Sequence, residues 1–234
     1  HASRTIKESI AEAKADMQTK TSLLQSRHVC GDAELSEEFQ EKFRKFLQKD
    51  APEEYLKTRR KDQKARRAKH LNTVFVQEPD IKNGVGGLRD YQNLIWMAEV
   101  KVGISSIDGL LDAGYIQKGE YTELLEAYDF LLRVRNELHF QSPRATDVLL
   151  LEIQPLVAFS LGYRHRTLLK RVERFMRHYY AHARNIFTLT NALEKHFLLP
   201  EETEKGFRIR FGQEDSRTVD GFLLKDGELE LIAD

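Results

Sequence analysis

The sequence has little of what would mark a secreted or membrane protein. It contains one cysteine, Cys30, which excludes an internal disulfide framework and indicates a reducing compartment. No apolar run approaches the ~20 residues that a membrane-spanning helix needs. No charged-then-apolar segment resembling a signal peptide opens the chain. These absences predict a cytoplasmic protein that does not enter a membrane.

The chain also lacks a net charge and is poor in proline. Lys plus Arg and Asp plus Glu each number 37 among the 234 residues, so no net field favours nucleic acid or an anionic membrane. Charged residues make up 32% of the chain and only five residues are proline, which favours long, solvated helices. The length is enough to bury a real core in one or two domains.

Hydrophobic periodicity predicts a mainly helical chain that ends in short strands. A strand is also expected at residues 72–77, and alternation at 207–211, 219–224 and 229–231 predicts the C-terminal strands, with a hairpin turn at 225–227. The predicted helices are 4–26, one starting at Asp32 or Ser36, 53–69, one from Leu88, a short one around 107–111, one capped by Thr122 with an apolar face at Leu124, Ala127, Leu131, Val134 and Leu138, then 146–161 and 165–197.

Residues 78–90, with the sequence E-P-D-I-K-N-G-V-G-G-L-R-D, are the most informative segment. Glycines let a ligand approach the backbone, and the first amides of the helix that follows favour an anion. Lys82 and Arg89 add positive charge, and Glu78 or Asp90 could hold these cations or a metal. Glycines also make plain structural turns, and the spacing fits neither G-x-G-x-x-G nor the Walker A motif.

Three further polar patterns each have a functional and a structural interpretation. The basic run at 57–70 fits an electrostatic clamp for phosphates, an acidic partner or RNA, and also a solvated helix. Arg135 and His139 lie four apart, so they fit a cleft face that holds a triphosphate or a protein substrate. They also fit an arginine paired with nearby carboxylates beside a hydrogen-bonded surface histidine. His178 and His182 share a spacing that can bind metal, but the H-E-x-x-H glutamate and a third ligand are missing.

The string at 78–90 resembles the E-P-x-I-K-x-G-x-G-G-L-R-D signature of the PII uridylyltransferase/uridylyl-removing family. The related glutamine-synthetase adenylyltransferases carry a similar D-I-K-x-G-x-G-G-I-R-[DE] string. Residues 130–139, F-L-L-R-V-R-N-E-L-H, resemble the family's F-L-x-R-V-R-N-x-L-H helix. Further landmarks extend the match over roughly residues 4–200. These landmarks are Arg4, Thr5, Asp16, Leu23, Leu24, Arg27, 31–32, 147–150, Gln154, 161–163, 172–173, 175–176 and 179–180.

The resemblance implies a fragment of a longer enzyme. The family's G-S-x-x-x-x-D-x-D metal site and its H-D dyad are absent from this sequence. The implied fold class is mainly α: a helical bundle of the nucleotidyltransferase substrate-binding type, preceded by the tail of an α/β polymerase-β-like nucleotidyltransferase domain, with a few C-terminal β-strands. The implied domains are the end of the nucleotidyltransferase domain with connecting helices at 1–86, the helical bundle at 87–200, and a short β-rich segment leading to a downstream domain at 201–234.

The activity that the resemblance implies for the full-length enzyme is Mg²⁺-dependent transfer of UMP from UTP to a tyrosine of a PII-type nitrogen-regulatory protein. We expect the nucleotide to be UTP rather than ATP, and we do not expect nucleic acid as a partner. This chain alone is expected to be inactive, with neither catalytic residues nor metal ligands. The alternatives are an adenylyltransferase acting on another protein and a non-catalytic helical module that binds RNA through residues 57–70. The expected nucleotide- and phosphate-binding residues are Lys82, Gly84, Gly86, Gly87, Arg89, Arg133 and Arg135.

Overall fold

The structure of the chain, a computed structural model, describes residues 3–49, 52–142, 144–198, 217–219, 222–225 and 228–231. Residues 1–198 and 199–234 form two compact units. The described part of the first unit is built from helices, which confirms the prediction of a mainly helical chain. None of the described helices has the length and apolar character needed to cross a membrane.

Nine helices and three strands occur within these ranges. The helices are α1 (Ile6–Ala15), α2 (Met17–Leu24), α3 (Ala33–Lys49), α4 (Pro52–Lys69), α5 (Leu88–Val102), α6 (Ile107–Asp112), α7 (Lys118–Gln141), α8 (Gln154–Ser160) and α9 (Leu168–Leu198). The strands are β1 (Arg217–Val219), β2 (Phe222–Lys225) and β3 (Glu228–Leu231), paired antiparallel in the order β1-β2-β3. The strand predicted at 207–211 lies outside the described residues, as do residues 226 and 227 of the predicted hairpin turn.

The first helix of the sequence is interrupted, although periodicity predicted a single helix at 4–26. Asp16 adopts an extended conformation, φ −130° and ψ 120°, between α1 and α2. Its side chain accepts a hydrogen bond of 2.6 Å from the amide of Thr19, in the first turn of α2. Aspartate is a strong N-cap because it satisfies an amide that the helix leaves free. The single helix predicted here is therefore wrong, and a capping residue inside the periodic pattern is the reason.

Helices α3 and α5 begin where the sequence predicts. Asp32 precedes α3, and its side chain accepts a hydrogen bond of 3.2 Å from the amide of Leu35. Gly87 precedes α5 in extended backbone, and Gly103 ends the helix in the left-handed region at φ 75°. Glycine adopts that conformation without the steric cost of a Cβ. Local capping chemistry therefore sets these boundaries.

The centre of the first unit is formed by α7, which packs along α9 and against α5. Helix α7 begins at Lys118, because Gln117 and Glu120 form a capping box. Thr122, the predicted cap, instead donates its hydroxyl to the carbonyl of Lys118 at 3.0 Å. The predicted cap is wrong, but the predicted buried face is confirmed. Its members, each at most 1% exposed, are Leu124, Ala127, Leu131, Val134 and Leu138.

Residues 72–77, predicted as a strand, do not form one. Between the glycine-rich loop and the segment after α7, the described structure has one isolated antiparallel bridge, which joins Asp80 to Val148. Phe75 is 64% exposed and contacts Tyr180, with ring centroids 5.6 Å apart. A strand needs a partner along its length to satisfy its backbone groups. The alternation in this segment therefore reflects contacts with helix α9 and solvent, and the strand prediction is wrong.

The helix predicted at 146–161 is helical only in its second half. The carbonyl of Asp147 accepts a hydrogen bond of 2.8 Å from the amide of Ile81. The amide of Leu149 donates to the carbonyl of Pro79 at 2.9 Å. These backbone bonds to the glycine-rich loop hold the segment extended, and α8 begins only after them.

Two clusters of buried apolar side chains form the core of the first unit. The larger one spans α4 to α9 and the segments between them. The smaller one joins the N-terminal helices to α4 and α5, and consists of Ala13, Leu24, Phe43, Leu47, Tyr55, Trp96 and Val100. Helix α5 contributes to both clusters, so the segments before residue 86 and those after it share one buried core. A domain boundary at residue 86 stays a prediction.

Replacing Gly86 with alanine tests how the glycine-rich loop packs on α9. Gly86 has a φ of +70°, and a Cβ at this position would lie 2.0 Å from the carbonyl oxygen of Ala183. We expect Gly86→Ala to lower the free energy of unfolding by about 2–4 kcal/mol, because backbone strain adds to overpacking. Urea unfolding measures this change.

Gly119→Ala is the matched control, because a Cβ at this helical glycine meets nothing within 4 Å. It is expected to leave stability unchanged or to raise it by up to about 1 kcal/mol, as alanine favours helix. Equal unfolding midpoints for the two variants would show that Gly86 is not packed as described.

Candidate functional site

The glycine-rich loop at 78–90 is folded around its own acidic residue. The Asp80 carboxylate accepts hydrogen bonds from the amides of Lys82 at 2.9 Å and Asn83 at 2.6 Å. The Asp80 carbonyl accepts the amide of Gly84 at 2.9 Å. Aspartate closes turns in this way because its short side chain reaches the backbone two residues on. The turn fixes the backbone from which the Lys82 side chain extends.

Asp90, at the other end of the loop, joins the loop to helix α4. Its carboxylate is fully buried and forms ion pairs with Arg66 and with Arg67, the latter at 2.9 Å. It also accepts the amide of Gly86 at 2.9 Å. Arg66 donates in addition to the carbonyl of Asn83 at 2.6 Å. Because a buried carboxylate needs charged or hydrogen-bonding partners, this contact fixes α4 on the loop.

The loop glycines are buried and their amides are used within the protein. Gly84, Gly86 and Gly87 each donate their amide to a carbonyl or carboxylate of the loop and the first turn of α5, at 2.9 to 3.0 Å. The amides of Leu88 and Arg89, the first of α5, donate to loop carbonyls at 3.0 and 2.8 Å. Because these amides are already hydrogen-bonded, an anion on this surface would contact side chains rather than the backbone. A phosphate-binding role for the three glycines stays a prediction.

Three basic side chains surround the carboxylate of Asp147, in the segment between α7 and α8. Lys82 Nζ lies 4.0 Å from one carboxylate oxygen. Arg135 Nε donates to the other oxygen at 2.7 Å, and His139 Nε2 lies 3.2 Å from the same atom. Arg135 and His139 therefore share one face of α7, as their spacing predicts. Their partner is this distant aspartate rather than a carboxylate of the same helix.

Asp147 is the site residue that sequence reasoning did not single out, since it entered only as a family landmark. Burial opposes its ionisation, but hydrogen bonds from Arg135 and His139 and the charges of Arg135 and Lys82 outweigh burial and lower its pKa. The residue is consequently a carboxylate at neutral pH. The sequence signal that could have identified Asp147 was its place as an acidic residue in the family landmark at 147–150, among apolar residues.

Arg89 adds another permanent positive charge to this surface. Burial, followed by the charges of Arg66 and Arg135, lowers the pKa of Arg89, while Asp147 acts in the opposite direction. Within the described part of the chain, its guanidinium makes no hydrogen bond or ion pair. Lys82 and Arg135 thus meet at the carboxylate of Asp147, and Arg89 lies close enough for its charge to interact with Arg135 and Asp147. We call Lys82, Arg89 and Arg135 the cation cluster.

Arg133 lies apart from the cation cluster. It is exposed, and its charge partly offsets the burial that raises the pKa of Tyr163. Positions two residues apart on an α-helix differ by about 200° in direction. Arg133 and Arg135 consequently leave α7 on opposite sides, and a phosphate-binding role for Arg133 stays a prediction.

The basic run at 57–70 divides between two faces of α4. On the inner face, Arg59 donates to Asn93 at 2.9 Å and Arg67 to Asn191 at 2.7 Å. The exposed lysines of the run are Lys57, Lys61, Lys64 and Lys69. The lysines therefore fit the solvated-helix interpretation, whereas Arg59 and Arg67 serve contacts within the protein. A clamp for phosphates, an acidic partner or RNA stays a prediction.

His178 and His182 have separate surroundings. His178 Nδ1 lies 2.9 Å from the hydroxyl of Tyr163, whereas His182 stacks on Phe130 with centroids 4.5 Å apart. Among the residues that the structure describes, no group of three or more His, Cys, Asp or Glu side chains could hold a metal ion. Packing on α9 accounts for the spacing of these two histidines.

A profile of the family described as GlnD PII-uridylyltransferase matches residues 54–194 of the chain. The chain belongs to the PII-uridylyltransferase family. The matched range contains both the loop at 78–90 and the helix at 130–139, so the resemblance drawn from those two motifs is confirmed.

Curated relatives of the chain are bifunctional uridylyltransferase/uridylyl-removing enzymes. The enzyme of Stutzerimonas stutzeri (strain A1501) is 34% identical over 230 residues, which cover 97% of this chain and 25% of the relative. The enzymes of Bradyrhizobium diazoefficiens and Caulobacter vibrioides (strain NA1000 / CB15N) are each 34% identical over 193 and 192 residues, 82% of this chain and 21% and 20% of the relatives. The chain thus spans about a fifth to a quarter of the length of these relatives.

Asp147→Asn is expected to destabilise the fold in a pH-dependent way. The variant keeps the shape of the side chain but removes the charge that Arg135 and His139 bind, at a cost of about 1–3 kcal/mol near neutral pH. Because the pKa of Asp147 is lowered in the folded state, this stabilisation is complete above its ordinary pKa of 3.8 and is lost as the pH falls below that value. Urea unfolding at neutral and acidic pH measures the difference.

Glu38→Gln on α3 is the control, since Glu38 pairs with Lys42 while both side chains are at least 50% exposed. We expect Glu38→Gln to lower the free energy of unfolding by less than about 0.5 kcal/mol at either pH. A gap between wild type and Asp147→Asn that does not shrink in acid would be inconsistent with the pairing assigned to Asp147.

Proposed function

We propose that this chain is the helical part of a cytoplasmic enzyme that transfers UMP from UTP to a tyrosine hydroxyl of a PII-type protein. Family membership supports uridylyl transfer as the reaction of the whole enzyme. The competing choice is adenylyl transfer to another protein. The G-G-L-R-D form of residues 86–90 and the R-N-E-L-H form of residues 135–139 favour the uridylyl branch.

The observation that carries this proposal is the convergence of the cation cluster on one surface beside a single carboxylate. Asp147 offsets one of the three permanent positive charges, so the surface stays positive. The Lys82 and Arg135 side chains are 34% and 29% exposed, and each is also anchored to Asp147. Cations held at a partly exposed surface raise the local concentration of a polyanion.

The cation cluster suits a triphosphate in its hydrogen-bond donors as well as in charge. The guanidinium groups of Arg89 and Arg135 present paired N–H donors that match phosphate oxygens, and Lys82 supplies a flexible point charge. Asp147 holds Arg135 before a ligand arrives, so less side-chain freedom is lost on binding. In phosphoryl-type transfer, positioning and charge neutralisation carry most of the catalysis. We assign both roles to the cation cluster.

The chemical step is assigned to the rest of the enzyme. The tyrosine oxygen bonds to the α-phosphorus, the bond to the pyrophosphate group breaks, and the hydroxyl proton passes to a base. The described residues do not fit a Mg²⁺ site, and the sequence contains no G-S-x-x-x-x-D-x-D string. We infer that UMP transfer needs parts of the enzyme outside these 234 residues.

Thermal unfolding with and without nucleotide tests the proposal on this chain. UTP with Mg²⁺, at about 100 times its dissociation constant, adds roughly 2.7 kcal/mol of stability and raises Tm by several degrees. We expect a larger rise with UTP than with ATP. The rise should be lost in Lys82→Ala, because this change removes one of three charges that hold the phosphates.

Lys45→Ala is the matched control, because Lys45 pairs with Glu41 on α3 and its side chain is 64% exposed. This variant should keep the full UTP response. A rise with ATP alone would support the adenylyl alternative instead. A UTP response that survives in Lys82→Ala would remove the role assigned to the cation cluster.

A further inference from the structure

Arg89 also lines a recess between α2, α4 and α5 that the proposed function does not use. The recess has a volume of about 430 Å³, which falls among small-molecule sites of about 300–1,000 Å³. Polar and charged side chains from all three helices form most of its lining. They include Gln18, Ser22, Arg59, Arg66 and Arg89, and the aromatic ring of Trp96 completes this part of the lining.

Three arginines are crowded together in this recess. Arg59 and Arg66 lie two turns apart on one face of α4, and Arg89 comes from the first turn of α5. Burial lowers the pKa of Arg59, the interactions with Tyr55 and Asp62 oppose this shift, and the charges of Arg89 and Arg66 add to it. Asp90 is occupied by Arg66 and its neighbour in α4, while Asp62 in the lining is exposed. An anion between these like charges would relieve their repulsion.

Hydrogen-bond donors remain available at the same place. Arg59 uses its Nε to bond Asn93 Oδ1 at 2.9 Å. In the part of the chain that the structure describes, the two terminal nitrogens of Arg59 make no hydrogen bond, nor does any nitrogen of Arg89. A guanidinium presents up to five N–H donors in a fixed fork, so a ligand rich in acceptor oxygens can satisfy several of them at once.

Trp96 forms the floor that holds two of these guanidinium groups. The Arg59 guanidinium carbon lies 4.7 Å from the ring centroid, and that of Arg89 lies 5.4 Å from it. The ring is 4% exposed, so it is fixed in the core. Cation–π contacts of this kind restrict the arginine side chains before any ligand binds.

We propose that the recess binds a small oligophosphate, either free or as the tail of a nucleotide, through the guanidinium groups of Arg59 and Arg89, with Arg66 adding charge. Oligophosphate fits because it carries several negative charges and offers oxygens to two forks at once. The inference goes beyond the proposed function, which rests on Lys82, Arg89 and Arg135. Arg89 is common to both sites, whereas Arg59 belongs to the recess alone.

The single tryptophan of the chain makes a direct test possible, because Trp96 lies under the two guanidinium groups. Tripolyphosphate is titrated into the 234-residue chain at constant ionic strength while tryptophan fluorescence is followed. We expect a saturable change, and an affinity about tenfold or more weaker in Arg59→Ala. Arg59→Lys should fall between, since it keeps the charge and loses the fork. Lys61→Ala, an exposed change on the same helix, should match wild type.

Calorimetry with the same ligand decides the matter if the fluorescence does not respond, and circular dichroism verifies that each variant is folded. Absence of saturable heat up to about 1 mM tripolyphosphate, or equal affinity in folded Arg59→Ala and wild type, would overturn the proposal. Parallel titrations with UTP and uridine distinguish binding of the phosphate tail of a nucleotide from binding of a free oligophosphate. Lys82→Ala should weaken tripolyphosphate binding less than Arg59→Ala, and the reverse order would also overturn the proposal.

Discussion

The buried carboxylate of Asp90, held between Arg66 and Arg67, is the contact on which the rest of the first unit depends. A carboxylate with no exposure cannot be left unpaired, because removing one partner of a buried ion pair costs about 3–5 kcal/mol. Asp90 thereby fixes α4 against the loop, and through the amide of Gly86 it fixes the loop where α9 passes. The places of the cation cluster and of the arginine recess both follow from these internal contacts.

Local sequence patterns predicted the helices well where burial has a clear period. The face of α7 from Leu124 to Leu138 repeats at helical spacing and is buried throughout. Prediction failed where the local structure depends on a capping residue or on a partner distant in the sequence. Asp16 can continue a helix or cap one, and in the fold it caps. Residues 72–77 alternate like a strand, but no neighbouring strand meets them in the described structure.

The sequence motifs named the basic residues of the candidate site, but neither Asp147 nor the geometry of the site. Motifs pointed to Lys82 and Arg135, yet Asp147, which holds both, comes from a segment whose pairing only the tertiary fold creates. Arg133 and Arg135 look equivalent in the motif, and the turn of the helix separates them. The glycines predicted either a loop that a ligand can approach or a plain structural turn. In the structure Gly86 lies against α9, a contact that no local pattern encodes.

Urea unfolding of Asp90→Asn tests most directly whether this buried ion pair organises the unit. Asparagine keeps the size of the side chain but removes the charge that two guanidinium groups share. The free energy of unfolding is predicted to fall by about 3–5 kcal/mol at neutral pH. The matched change Glu173→Gln, in an exposed pair with Arg177 at 2.9 Å, should lose less than about 0.5 kcal/mol. A loss in Asp90→Asn no larger than that in Glu173→Gln would contradict the account.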